Sequence, residues 1–389
     1  MAEKGAREMA NPLLELKKYG QSVWYDDLNR KLIVRGALQR MVEEDGVSGG
    51  TSNPSIFEKA ISGTDAYDEH LRRLVDEGRD LPQIYDELTT TDVGMSTDVF
   101  RAIYDETEGA DGFASLEVSP LIANDTQASI EAAKRLFAKL DRPNAMIKIP
   151  GTPDGIPAIE RCLADGLNIN ITLLFGVENY EQVAWAYVSA LEKRWAAGKP
   201  INRIASVASF FVSRVDTLTD KKLEERIAKA GIEKERNELK SLLGKAGIAN
   251  AKIAYAKYNE IFSGTRWKVL ADGGARVQRC LWASTSTKNP NYRDVMYAEG
   301  LIGPDTINTM PQTTLDAFRD HGVVAPTLVK DVDEAFATIQ RLEAVGIDFK
   351  AVTDELQVEG VRLFSESFAK ANESIKQKRD ALVAAGARR

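Results

Sequence analysis

Histidine and cysteine are nearly missing from this chain, which has two of each in 389 residues. Cys162 and Cys280 stand far apart in apolar surroundings and form no CxxC spacing. That excludes a zinc cluster, a redox pair and a disulfide framework, and predicts two reduced core thiols. His70 lies in the charged run DAYDEHLRRLV and His321 in AFRDHG at a helix end, so both are expected at the surface. Neither a Ser-His-Asp triad nor a multi-histidine metal site is then expected, and no metal is expected. No apolar run approaches the ~20 residues that span a bilayer, and the charged start MAEKGAREMANPLLELKKYG lacks the apolar centre of a signal peptide. A cytoplasmic protein without a membrane partner is expected. The net charge of −7 argues against a nucleic-acid partner, so any anion site must be local.

What is present is a globular composition, 43% hydrophobic and 28% charged, without tandem repeats, low-complexity tracts or an evident interdomain linker. Eight β-rich runs recur between helical patterns, at 22–27, 46–55, 112–120, 144–151, 167–175, 204–214, 276–284 and 305–310. Amphipathic segments such as TQASIEAAKRLFAKL (126–140) and IPAIERCLADG (156–166) separate them, the latter ending on Gly166 where a helix cap is expected. Strand and helix in alternation imply parallel pairing, and eight such units predict an α/β fold, a (β/α)8 TIM barrel with extra helices. A doubly wound open sheet is the alternative.

The spare length is helical: an arm at about 1–20, an extension at about 216–262 between the sixth and seventh strands, and terminal helices at about 329–386. All are read as parts of one barrel domain, 1–389. Val332, Phe336, Ile339, Leu342 and Val345 keep helical spacing, as do Val361, Phe364, Phe368, Ala371 and Ile375, and both stripes are expected to face the core.

The stretch NAMIKIPGTPDGIP holds the first chemical clue, because Lys148 sits between Ile147 and Ile149 in an apolar run. Strand side chains alternate between faces, and the outward face of a barrel strand meets helices and favours branched apolar residues. Lys148 is therefore predicted to point inward, where burial disfavours its charged form. The same parity sends Asn170 and Thr172 of LNINITLLF inward and sets Ser115 with Glu117 on one face of FASLEV, while Asp26 closes SVWYD and Ser209 shares a face with Phe211. Taken singly, Asn53 reads equally well as a turn residue, Asp26 as a helix cap and Thr172 as a packed filler. Polar groups at the same end of successive strands need partners, however, and such a lining reads as an active site. A desolvated lysine can attack a ketone to form a Schiff base, which serves as an electron sink without a cofactor. Glu117 is placed to move the protons of dehydration and Asp26 to take the proton of a hydroxyl whose carbon chain is cut.

In order along the chain, GQSVWYDDL, GGTSNPSIF, SLEVSP, IKIPGTPDGIPAIE, NITLLF, SFFVSR, WASTSTKNP and IGPDTINTMP resemble transaldolases, in the longer form with an added helical segment after the sixth strand. The resemblance implies a cofactor-free class I aldolase-type barrel of the non-oxidative pentose phosphate pathway. Such an enzyme moves a dihydroxyacetone unit from sedoheptulose 7-phosphate or fructose 6-phosphate to glyceraldehyde 3-phosphate or erythrose 4-phosphate. It also implies roles: Lys148 as the Schiff-base lysine, Asp26 (followed directly by Asp27) as the first-strand acid, and Glu117 with Thr172 holding a catalytic water. Asn53, Asn170 and Ser209 would bind the dihydroxyacetone unit, Phe211 would line the site and Arg214 would bind phosphate. The seventh strand departs from shorter members, offering Ser284, Ser286 and Lys288 where they place an arginine, and Ser286 with Lys288 is expected to complete the phosphate site. A monomer or homodimer handling sugar phosphates is expected. Two rivals stay open: an aldolase releasing free dihydroxyacetone, and a silent sugar-phosphate binder whose lysine is merely ion-paired.

Overall fold

The computed structural model describes residues 11–386. Its eight parallel strands close into a barrel in sequence order: β1 (Gln21–Tyr25), β2 (Val47–Thr51), β3 (Ala114–Glu117), β4 (Ala145–Pro150), β5 (Ile169–Leu174), β6 (Ser206–Phe211), β7 (Arg279–Ala283) and β8 (Thr306–Met310), with β8 pairing back onto β1. The fold is thus the (β/α)8 barrel and not the open sheet. Ile147, Ile149, Ile169 and Ile171 are fully buried in the layer shared with the helices. Between them the register aligns Glu117 with Lys148 and Lys148 with Asn170, so three polar residues stand side by side on β3, β4 and β5.

Several strands stop short of the runs that announced them, for local reasons that bear on the site. The run 46–55 ends as a strand at Thr51 because Pro54, which has no N–H to lose, opens the helix Pro54–Gly63. The Asn53 Oδ1 caps that helix, accepting from Ser55 N at 3.0 Å and Ile56 N at 3.1 Å. The run 204–214 likewise ends at Phe211, and Arg214 falls in the first turn of the helix Ser213–Ile227. Gly49 in β2 is required by space, since a Cβ there would lie 2.5 Å from the Trp24 ring and 2.8 Å from the Phe113 carbonyl. The helices Thr126–Leu140 and Gly155–Asp165 fall where the sequence predicts them, the second closed by Gly166 at φ 107°.

The extension after β6 forms the helices Ser213–Ile227, Glu233–Lys240, Ala246–Ser263 and Thr265–Asp272. Ala246–Ser263 packs against Val177–Ala196 and against Val332–Ala344. The last helix, Phe349–Gly386, lies on Pro54–Gly63, Asp68–Asp76, Leu81–Val99 and Ser213–Ile227. Of the two apolar stripes, the first departs from expectation at Phe336, which is 44% exposed. Residues 1–10 of the expected arm lie outside the described residues, and the rest is helical over Pro12–Glu15 and Leu16–Tyr19, with Leu13 and Leu16 buried. Among the described residues no helix is long and apolar enough to cross a membrane.

Both cysteines are buried and free, as expected. His321 ends the helix Gln312–His321 and is partly exposed. His70 is a correction: it is half-buried, with Nδ1 3.0 Å from the guanidinium of Arg30, which in turn bonds Asp92 at 2.7 Å. The charged run around it looked like a solvated face, but its helix Asp68–Asp76 turns this residue toward Arg30 and Asp92. Burial first, then the Arg30 charge, lower its pKa to about 4.

Candidate active site

The C-terminal ends of the strands open on a cavity of about 550 Å³, within the range of small-ligand sites. Lys148 reaches it from β4. Its Nζ donates to the Ser52 carbonyl at 3.3 Å and lies 3.4 Å from Glu117 Oε2, with the two side chains only 5% and 2% exposed. Apart from this ion pair both Glu117 oxygens are buried without a hydrogen-bond partner, as is the Thr172 hydroxyl. Buried polar atoms left over in this way normally hold water. Burial raises the pKa of Glu117 to about 7 even against the opposing charge of Lys148. The carboxyl is therefore balanced between its two forms near neutrality, as a group that must both give and take a proton requires.

Asp26 lies just past the end of β1 and lines the same cavity; Thr51 Oγ1 donates to its Oδ1 at 2.7 Å. Burial raises its pKa, and Lys148 is the strongest influence in the other direction. Asp27 also lines the cavity, but its hydrogen-bonding neighbour is Asn29, and burial holds its pKa near 6. The electrostatic coupling to Lys148 thus distinguishes Asp26 from the carboxylate beside it.

Asn170 is fully buried and does not line the cavity. It links two strands below it, giving Nδ2 to Ser115 Oγ at 3.0 Å and accepting from Ser209 Oγ at 2.7 Å. Glu117 and Thr172 are likewise buried behind the cavity wall, Thr172 nearer the mouth than Asn170, while Asn53, Ser209, Phe211, Arg214, Ser286 and Lys288 face the open volume. Asn168, on the same face of its run as Asn170, sits at the far end and ties the Pro143 and Ala145 carbonyls instead.

The upper end of the cavity is cationic. Arg214 lies 5.6 Å from the Phe211 ring centroid and makes no hydrogen bond among the described residues; burial lowers its pKa. Lys288 donates to Ser286 Oγ at 2.6 Å, and its pKa is lowered by burial and next by the Arg214 charge. Asp26 lies within electrostatic reach of both cations and Glu359 of Arg214, but among the described residues neither carboxylate forms an ion pair with them, so the two cations keep a local demand for an anion. The turn that delivers Ser286 and Lys288 begins at Ser284, which takes a left-handed φ of 55° and shares a hydrogen bond with Ser213 at 3.0 Å.

The model of the transaldolase/fructose-6-phosphate aldolase family matches residues 23–375, the stretch that carries every residue of this site. The chain belongs to that family. Among its relatives, a transaldolase 2 of Nostoc punctiforme is 49% identical over 372 residues, covering 95% of this chain and 97% of that protein. A transaldolase of Trichodesmium erythraeum is 44% identical, covering 95% and 98%. One of Acidothermus cellulolyticus is 45% identical, covering 92% and 95%. The protein is accordingly an enzyme of the transaldolase type.

Among the cavity residues of this transaldolase-type enzyme that the sequence did not single out for the site, four bear directly on the predicted set: Thr51, Thr309, Lys59 and Phe364. Thr51 and Thr309, 3.2 Å apart, form the floor beside Asp26. Lys59 adds a further cation from the helix that Asn53 caps. Phe364 comes from the last helix, where its spacing marked it only as core. Parity along β2 could have drawn attention to Thr51, but nothing local identifies the other three.

Proposed function

We propose that this transaldolase-type enzyme works through a Schiff base on Lys148, transferring dihydroxyacetone between sugar phosphates in the non-oxidative pentose phosphate pathway of the cytoplasm. The observation that carries the reading is the buried Lys148, held 3.4 Å from a carboxyl whose pKa is raised to about 7 and opening on a cavity with a cationic far end.

Lys148 attacks the C2 ketone of fructose 6-phosphate or sedoheptulose 7-phosphate. Glu117, with a water at Thr172, supplies the proton that turns the carbinolamine hydroxyl into departing water. The resulting iminium draws electrons from the C3–C4 bond while Asp26 removes the proton of the C4 hydroxyl. The aldose phosphate leaves, and the enamine stays bound to Lys148 between Asn53 and Ser209, with Asn170 holding the Ser209 hydroxyl from behind. Its C3 then attacks glyceraldehyde 3-phosphate or erythrose 4-phosphate, whose phosphate rests on Arg214, Ser286 and Lys288, with Phe211 packed beneath the arginine. The steps then run in reverse to release the new ketose. No cofactor takes part, because the iminium itself is the electron sink.

The test is to incubate the protein with fructose 6-phosphate, add borohydride, and map the reduced adduct by intact mass and peptide analysis. A dihydroxyacetone-sized increment on Lys148, absent in Lys148→Ala, is expected. Turnover without an adduct on any lysine would overturn the reading.

A further inference from the structure

The cavity is roofed by a segment that no strand supplies. The helix Phe349–Gly386 is fastened at both sides of the barrel mouth. Near its start the Gln357 amide donates to the carbonyls of Gly151 at 3.0 Å and Leu173 at 3.3 Å, at the ends of β4 and β5. Gly360 follows, where a Cβ would come within 2.9 Å of the Leu173 side chain. Across the mouth, Ser55 Oγ donates to Ser367 Oγ at 2.7 Å, and Lys378 Nζ bonds the Thr64 carbonyl at 2.6 Å and Asp68 at 2.7 Å. Between these fastenings Phe364 enters the cavity wall, 4% exposed, with its ring centroid 6.0 Å from Lys148 Nζ. The ring carries no donor or acceptor for water, and its face favours a cation at that distance, as the iminium is.

We propose that Phe364 shields the Lys148 adduct from water and thereby sets the partition between transfer of the dihydroxyacetone unit and its release as free dihydroxyacetone. The proposal rests on the Schiff-base reading above. Once the C3–C4 bond is broken, the enamine electron pair either attacks an acceptor carbonyl or takes a proton at C3. Protonation gives back an iminium; water adds at C2, the C2–N bond breaks, and dihydroxyacetone leaves with Lys148 free. The water taken up equals the one lost when the adduct formed, and the proton gained at C3 equals the one given up by the C4 hydroxyl, so release needs no further reactant. Both outcomes end in hydrolysis of an iminium, so they divide earlier, at whether C3 of the enamine takes a proton delivered through water or meets the acceptor carbonyl, and Phe364 occupies the apolar side of that water's access.

The experiment compares wild-type protein, Phe364→Ala and Phe364→Leu. With fructose 6-phosphate as donor and erythrose 4-phosphate as acceptor, free dihydroxyacetone and sedoheptulose 7-phosphate are measured in the same reaction. The ratio of release to transfer is independent of how much of each variant is folded. Phe364→Ala is expected to raise the ratio at least tenfold and Phe364→Leu, which keeps an apolar cover, to return it to within threefold of wild type. An unchanged ratio in Phe364→Ala, or an equal rise in both variants, overturns the proposal. Borohydride trapping on the wild type separates the two levels: an adduct on Lys148 with an unchanged ratio rejects the shield alone, whereas no adduct rejects the Schiff base and the shield together.

Discussion

Glu117 and Lys148 are register partners on adjacent parallel strands, and their side chains meet 3.4 Å apart in the interior of the barrel. Such a pair is costly to bury, and breaking one side of it leaves the other charge uncompensated. The pair stands where Lys148 opens on the cavity, and both carboxylate oxygens are otherwise unpartnered.

Replacing Glu117 by Gln should slow both formation and hydrolysis of the adduct, by roughly 10²-fold for the loss of a general acid-base group. Single-turnover trapping at timed intervals measures the two steps, and unchanged rates in both would remove Glu117 from the assigned role. The substitution also has a pH signature. A carboxyl raised from 4.5 to about 7 by burial binds its proton more tightly in the fold, so its contribution to stability is full below pH 4.5 and is lost as pH rises through 7. The difference in unfolding free energy between pH 5 and pH 8 should therefore shrink in Glu117→Gln, by at most about 3 kcal/mol.

Arg214→Ala should raise KM for fructose 6-phosphate by about 10²-fold, the loss of a charge-assisted contact of ~2–3 kcal/mol. KM for an unphosphorylated acceptor should change little. Arg214→Lys should recover only part of the effect, because an ammonium lacks the planar fork of the guanidinium. Equal effects on phosphorylated and unphosphorylated substrates would show that Arg214 shapes the cavity and does not read the anion.

His70 predicts an acid limit to stability. Its pKa falls from 6.5 to about 4 on folding, through burial and then the Arg30 charge, so its contribution is present above pH 6.5 and is lost as pH falls through 4. His70→Gln keeps an acceptor for Arg30 and removes the titration. Acid unfolding followed by circular dichroism should show its midpoint at lower pH than wild type, and an identical midpoint would mean that His70 is not part of the acid response.

Gly49→Ala tests the packing of the barrel itself. The new methyl would lie 2.5 Å from the Trp24 ring and 2.8 Å from the Phe113 carbonyl, closer than real contacts allow. Overpacking of this kind costs about 1–3 kcal/mol, visible as a lowered denaturant midpoint with the slope unchanged.

The barrel was legible because polar and branched apolar residues alternate on successive strands, and a polar interior in which Glu117 and Asn170 flank a Lys148 that reaches a cavity explains that alternation. The ends of strands were less so. The β run around Asn53 continues past Thr51 in composition, yet Pro54 and the Asn53 cap convert it to helix. Asp26 and Asp27 are adjacent beyond the end of β1, where period-two alternation no longer assigns a face. Phe364 and Phe336 show the limit of helical spacing: it groups residues into a stripe but does not say what each meets. One lines the cavity beside Lys148 and the other is largely exposed, and this is decided by contacts more than a hundred residues away in sequence.

The position of Phe364 also has a consequence in time. The eighth strand is complete at Met310, and Phe364 follows it in the order of synthesis. On the ribosome, every strand and the lysine itself are made before the wall that faces Lys148 is finished. The amine of Lys148 is thus translated before the ring that comes to cover it, and the cavity wall can close only after Phe364 has been made.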